Sequence, residues 1–213
     1  MKQYIKKRYS GFMLRGETDQ FVPEQGTAVI SDPGRKQGPG APADGYLVDQ
    51  AAGPEGRYRY GITRTAQTGC EIIAVYNLLR KYGKQVAFGE LVRRFDRRGG
   101  GRVFLGLFGS SVHGMQKQLN RAGLPVKCIP GDQTHEMDRA EAGILTFWWS
   151  EKSLRIHTVM IEKTGSGRRV TAYNYMPWKG ASRITDSSVS ELIKRRRIQP
   201  IAFLAVEQDT VSD

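Results

Sequence analysis

Residues 68–84 read Thr68-Gly69-Cys70-Glu71-Ile72-Ile73-Ala74-Val75-Tyr76-Asn77-Leu78-Leu79-Arg80-Lys81-Tyr82-Gly83-Lys84, and this stretch decides the fold. Ile72, Ile73, Val75, Tyr76, Leu78 and Leu79 spread apolar side chains over a wide helical face, and Gly83 supplies the stop. The spacing predicts a buried helix that begins at Cys70.

C-terminal to it, Leu91, Val92 and Phe95 predict a second, basic helix from about Phe88 to the glycines 99–101. Ser110 and Ser111 are capping residues for a third helix carrying Val112, Met115 and Leu119, ended by Gly123. Strand-like runs follow at Val126–Ile129, Gly143–Trp149, Arg155–Glu162 and Arg168–Tyr175, with Thr164–Gly167 as a hairpin turn. A short helix, Ser188–Arg195, precedes a last strand, Ile201–Val206. Helices first and antiparallel strands later define an α+β domain.

On the N-terminal side, residues 22–57 hold five of the nine prolines and seven glycines with little apolar periodicity, which reads as an extended arm. The expected layout is an arm over 1–57, a domain over 58–206 and a tail over 207–213. At 213 residues and 39% hydrophobic content the chain is long enough to close a core, which excludes a fibre and a small disulfide scaffold. Its apolar runs are too short for a membrane span, and the basic start MKQYIKKRYSGFMLRG is followed by no apolar segment. A cytoplasmic protein is the expectation.

Thirty-three Lys and Arg against 21 Asp and Glu give a net charge of +12. The basic runs (Lys6-Lys7-Arg8, Arg93-Arg94 with Arg97-Arg98, and Arg195-Arg196-Arg197) read first as solvated surface and second as a nucleic-acid footprint. Two cysteines, Cys70 and Cys128, neither build a disulfide framework nor supply a four-ligand zinc site. Cys128, in the strand VKCI, reads as a structural thiol. Lys163-Thr164-Gly165 lacks the Ser-x-x-Lys partner of a β-lactamase, and Gly99–Gly109 lacks the Gly-Lys-Ser/Thr ending of a phosphate loop. Trp148, Trp149 and Trp178 read as packing residues rather than base-stacking platforms.

The chemistry gathers at Cys70. A thiol in the first turn of a helix meets the positive end of the helix dipole, which favours thiolate and suits a nucleophile; the plain alternative is a small core residue. A cysteine nucleophile needs a base, and three histidines are present. His113, near the start of the third helix, and His135, in a polar turn, read as solvated or capping histidines. His157 lies inside the strand RIHTVMIE, where alternation places it with Val159 and Ile161 and opposite Ile156 and Thr158; the plain alternative is a core histidine satisfied by the backbone. Seventeen residues on, Asn174 in VTAYNYMPW occupies the strand expected to pair beside it, where its amide can hydrogen-bond the imidazole.

TGCEIIAVYNLLRKYGK, the later GSSVHGMQKQLNRAGL, the strand HTVMI and the following AYNYMPW resemble the bacterial C39-like group of papain-fold cysteine peptidases over roughly residues 62–179. The resemblance implies a papain-like fold with the cysteine helix on an antiparallel sheet, and hydrolysis of a peptide or amide bond in a peptide or protein substrate. Cys70 would be the nucleophile, His157 the general base and acid, Asn174 the orienting group, and no cofactor or metal is implied. Where such enzymes carry an oxyanion glutamine, six to eight residues before the cysteine, this chain has Ile62 and Arg64. Gln67, three residues ahead, is the candidate in its place; the Cys70 N–H with Arg64 or another donor is the alternative. A peptide-binding module of the same fold without turnover, and a basic nucleic-acid binder, are the rival readings.

Overall fold

The computed structural model describes residues 45–51, 53–97, 99–106, 108–149, 155–176 and 181–207. The basic run at residues 6–8, most of the arm, Trp178 and the end of the tail lie outside them. Two short strands, β1 (Arg59–Tyr60) and β2 (Thr63–Arg64), pair across a tight turn and lead into the one-turn helix α1 (Thr65–Thr68). Helices α2 (Cys70–Lys81), α3 (Phe88–Asp96) and α4 (Val112–Arg121) follow, close to the predicted bounds. Gly83 adopts φ +68°, and the Ser111 side chain accepts the Gly114 N–H, so stop and cap act as their residue types dictate.

The remaining elements are β3 (Val126–Pro130), α5 (Thr134–Met137), β4 (Ala142–Trp148), β5 (Ile156–Thr164), β6 (Arg169–Met176), β7 (Ala181–Asp186), α6 (Val189–Arg196) and β8 (Gln199–Val206). Six strands form one antiparallel sheet in the order β3-β8-β4-β5-β6-β7. The α+β class is as expected. Strand β7, whose polar residues carry no sequence signal, was not anticipated.

Alternation along the strands builds two apolar layers. Ile144, Met160, Tyr173 and Leu204 face α2, α3 and α4 on one side. Leu145, Phe147, Val159, Ile161 and Phe203 face the other, where α6 contributes Val189 and Leu192. Every residue of α2 from Cys70 to Leu79 is buried, because the sheet takes one flank and α3 and α4 take the others. Near its end, Lys81 reaches Glu162 of β5 at 2.7 Å, and the Tyr173 hydroxyl donates to the same carboxylate at 2.6 Å.

The expected domain start at Tyr58 requires correction. Tyr46 and Leu47 are buried in the core, and Asn77 of α2 grips the Leu47 backbone twice, its Oδ1 accepting the N–H and its Nδ2 donating to the carbonyl, each at 2.8 Å. An amide inside an apolar helix would be costly unless satisfied. Residues 45–51 satisfy it by crossing α2 as a strap. A proline- and glycine-rich composition therefore does not mark the whole stretch as a separate arm.

Candidate active site

Cys70 is the first residue of α2, with Gly69 as its N-cap, and only 7% of its surface is exposed. Gly69 is tightly seated: a Cβ there would lie 2.6 Å from the Thr65 carbonyl oxygen, so the α1–α2 junction admits little else. The thiol contacts the backbone of Thr158 on β5 and the carboxyl of its neighbour Glu71. Burial pushes its pKa well above the ordinary thiol value, the Glu71 charge and the bond to Glu71 add to that, and the backbone contacts only partly oppose it. The helix-start argument for a thiolate is thus overturned in the resting protein. The dipole is outweighed by the loss of water and by a carboxylate next door.

Glu71 is a functional candidate that the sequence reading passed over. Burial raises its carboxyl to about 7, while its own N–H, the Cys70 thiol and the Ser110 N–H draw it back down. Its Oε2 is buried without a hydrogen-bond partner. The carboxylate lies against Gly109, where a Cβ would stand 2.4 Å from both oxygens and where φ is +68°. Beside it, the Tyr60 hydroxyl bonds Ser110 Oγ at 2.6 Å and the Gly109 carbonyl at 3.0 Å. Its place directly after the cysteine was the only available signal.

His157 is 3% exposed and stands among aromatic rings, stacked on Trp149 at 5.5 Å and edge-on to Phe147 at 5.8 Å. Its Nε2 lies 2.7 Å from the backbone oxygen of Asn174. A carbonyl only accepts, so Nε2 carries the proton, and the Tyr175 backbone also bonds the ring. Burial lowers the imidazole pKa to about 4, against the pull of the Asn174 and Tyr175 backbone. Phe147 belongs to the layer away from α2, whereas Cys70 reaches β5 from the α2 side. Thiol and imidazole therefore approach the strand from opposite faces, in place of the direct pairing expected.

Both lie toward one end of the strand. The β5–β6 ladder runs from Met160↔Tyr173 to Thr164↔Arg169, so His157 and Thr158 lie beyond it, next to a bulge in β6. Asn174 forms that bulge with φ +61°, which turns its carbonyl toward His157. Its side chain does not orient the ring: Nδ2 donates to Gln50 Oε1 at 3.3 Å, and Oδ1 is buried without a partner. The orienting role expected of the amide belongs to the main chain.

Gln50, in the strap, is the second residue missed. It receives the Asn174 amide and donates through Nε2 to the Ala66 carbonyl at 2.9 Å, linking the bulge to the turn that precedes Cys70. No local pattern marks it. Gln67, by contrast, is exposed, its Oε1 accepts the Arg64 N–H at 3.2 Å, and it lines an open depression with Arg57, Arg59, Ile62, Thr63 and Arg64. A glutamine used as a helix cap on the surface is not placed as an oxyanion donor, so that assignment is withdrawn.

His113 and His135 are exposed, and both cysteines are free thiols. Among the described residues, no group of three or more His, Cys, Asp or Glu is arranged to hold a metal ion, and no helix is long and apolar enough to cross a membrane. No protein-family model and no curated protein matches the chain.

Proposed function

We propose that the chain is a cysteine-dependent hydrolase of papain-like topology that cleaves a peptide or amide bond. One observation carries this reading. The first residue of the central helix, Cys70, contacts β5 at Thr158, adjoining His157, whose ring is held from the next strand by Asn174. Helix-borne thiol, strand-borne imidazole and an orienting group on the neighbouring strand are the parts that acyl transfer through cysteine requires.

In this reading the thiol is neutral at rest and is deprotonated only as it attacks. Because thiol and imidazole stand on opposite faces of β5 at rest, the end of β5 must rearrange to bring the ring to the thiol. His157 then takes the proton, the sulfur adds to the carbonyl carbon, and the imidazolium returns the proton to the leaving amine. Water then attacks the thioester carbonyl, the same ring accepting its proton, and carboxylate and thiol are released. The Cys70 N–H at the start of α2 is the nearest fixed donor for the developing oxyanion.

The test is covalent capture. A peptide carrying an acyl electrophile is expected to modify Cys70, read by mass spectrometry, and His157→Ala is expected to abolish capture without unfolding the protein. Capture that persists in His157→Ala, or labelling at Cys128 alone, overturns the assignment.

A second reading, a peptide-binding module of this fold without turnover, is favoured by the neutral thiol and the opposed faces. It is distinguished by binding of peptides with no capture. The nucleic-acid reading has less free charge to draw on at two of its arginine runs. Arg93 and Arg94 pair with Glu90, and Arg195 and Arg196 pair with Asp186.

A further inference from the structure

The described large hydrophobics that remain exposed are Ile62, Phe104, Leu105 and Phe108, and they belong to two loops that touch. The Ile62 N–H donates to the Leu105 carbonyl at 3.0 Å, and a Cβ on Gly61 would lie 1.8 Å from that same oxygen. The turn between β1 and β2 is thus locked onto loop 102–109, and Phe104 and Phe108 meet at 5.4 Å. Ile62, 60% exposed, borders an open depression of roughly 380 Å³ whose walls carry Arg57, Arg59 and Arg64.

Asp96, the nearby carboxylate, is committed to Arg102 at 2.5 Å and to the Gly61 N–H at 2.7 Å. Arg57, Arg59 and Arg64 are exposed and make no ion pair among the described residues, although Arg59 Nε donates to the Gly61 carbonyl at 3.1 Å. Three guanidinium groups without an ion pair around a polar depression edged by Ile62, with Phe104 and Phe108 on the adjoining loop, suit carboxylates flanking a large apolar side chain. A nucleic-acid strand fits less well, because Ile62, the most exposed of the apolar residues, neither stacks on bases nor binds phosphate.

The surface borders the Cys70–Glu71 segment at two points. Gln67, on its wall, lies one turn before Cys70, and loop 102–109 ends at Gly109 against Glu71. We infer that this surface docks an acidic peptide segment bearing a large aliphatic or aromatic residue, and that such segments are the substrate class of the Cys70 site. The inference rests on the hydrolase reading only for the word substrate; docking itself does not require turnover.

The experiment uses the full chain with Cys70→Ala, so that binding is read without chemistry. Fluorescence anisotropy is measured with a labelled eight-residue peptide alternating Glu and Leu, the same peptide with Lys for Glu, and a labelled single-stranded oligonucleotide. The expected result is at least tenfold tighter binding of the Glu peptide than of the Lys peptide. That preference should be lost in Arg57→Glu/Arg59→Glu/Arg64→Glu and weakened several-fold in Ile62→Ser, with circular dichroism confirming that each variant is folded. Equal binding of the two peptides, an unaffected triple variant, or an oligonucleotide that binds tighter than the Glu peptide overturns the proposal. None of these outcomes touches the capture result at Cys70, so the two readings fail separately.

Discussion

The imidazole of His157 is held by the main-chain oxygen of Asn174, at 2.7 Å, while the Asn174 side chain turns to Gln50. The residue type therefore matters at position 174 through its backbone. Asn tolerates the left-handed conformation that aims the carbonyl, and few other residues do so cheaply.

From this follows an inversion of the usual ranking. Asn174→Gly keeps both the carbonyl and the φ of +61°, whereas Asn174→Ala must bear left-handed strain of about 1 kcal/mol. Denaturant titration is expected to show the glycine variant more stable than the alanine variant by about that amount. The ¹⁵N shifts of the His157 ring should keep the Nε2–H tautomer in Asn174→Gly. Loss of that tautomer with Asn174→Gly would return the orienting role to the side chain.

Cys70 is expected to alkylate with iodoacetamide at pH 7 more slowly than a free thiol, because burial and Glu71 both disfavour the thiolate. Glu71→Gln removes the neighbouring charge and should speed the reaction. Fast alkylation of the unmodified protein at pH 6 would show that the resting thiol is ionised after all.

Glu71 and His157 also set opposite pH limbs on stability. Between about 4.5 and 7 the folded protein keeps a proton on Glu71 that the unfolded chain releases, so this group makes stability fall as pH rises. Between about 6.5 and 4 the unfolded chain binds a proton that buried His157 declines, so this group makes stability fall as pH drops. The two slopes cancel where the windows overlap, from about 4.5 to 6.5. In Glu71→Gln only the histidine limb remains, and stability should rise with pH across that range by on the order of 3 kcal/mol. Urea titrations at pH 4.5 and 6.5 compare the two proteins; parallel pH profiles would remove Glu71 from the account.

The strap is expected to be part of the folding unit. Leu47→Ala should cost about 2–3 kcal/mol by emptying a buried site. A chain beginning at Tyr58 should be less stable still, since it also leaves Asn77 without the backbone it grips. Thermal denaturation of the three proteins checks this order, and an unchanged melting temperature on truncation would restore the shorter domain.

Sequence by itself determined the parts of this protein whose causes are local. The apolar spacing of residues 72–79, the glycine at 83, the Ser111 cap and the strand alternation of residues 156–161 each act within a few residues, and the elements form where those signals lie. Alternation also placed His157 with Val159 and Ile161, but not which of the two layers that face would meet. Only the tertiary structure decided that α2 covers the other face, that the bulge at Asn174 presents a carbonyl instead of an amide, and that Gln50 and the strap close over the site. The same holds for charge. A helix start favours a thiolate on local grounds, but the sign of the shift at Cys70 comes from burial against the sheet and from the Glu71 carboxylate, which Gly109 packs against. Ionisation answers to surroundings assembled from distant segments, and no short stretch of sequence carries that sum.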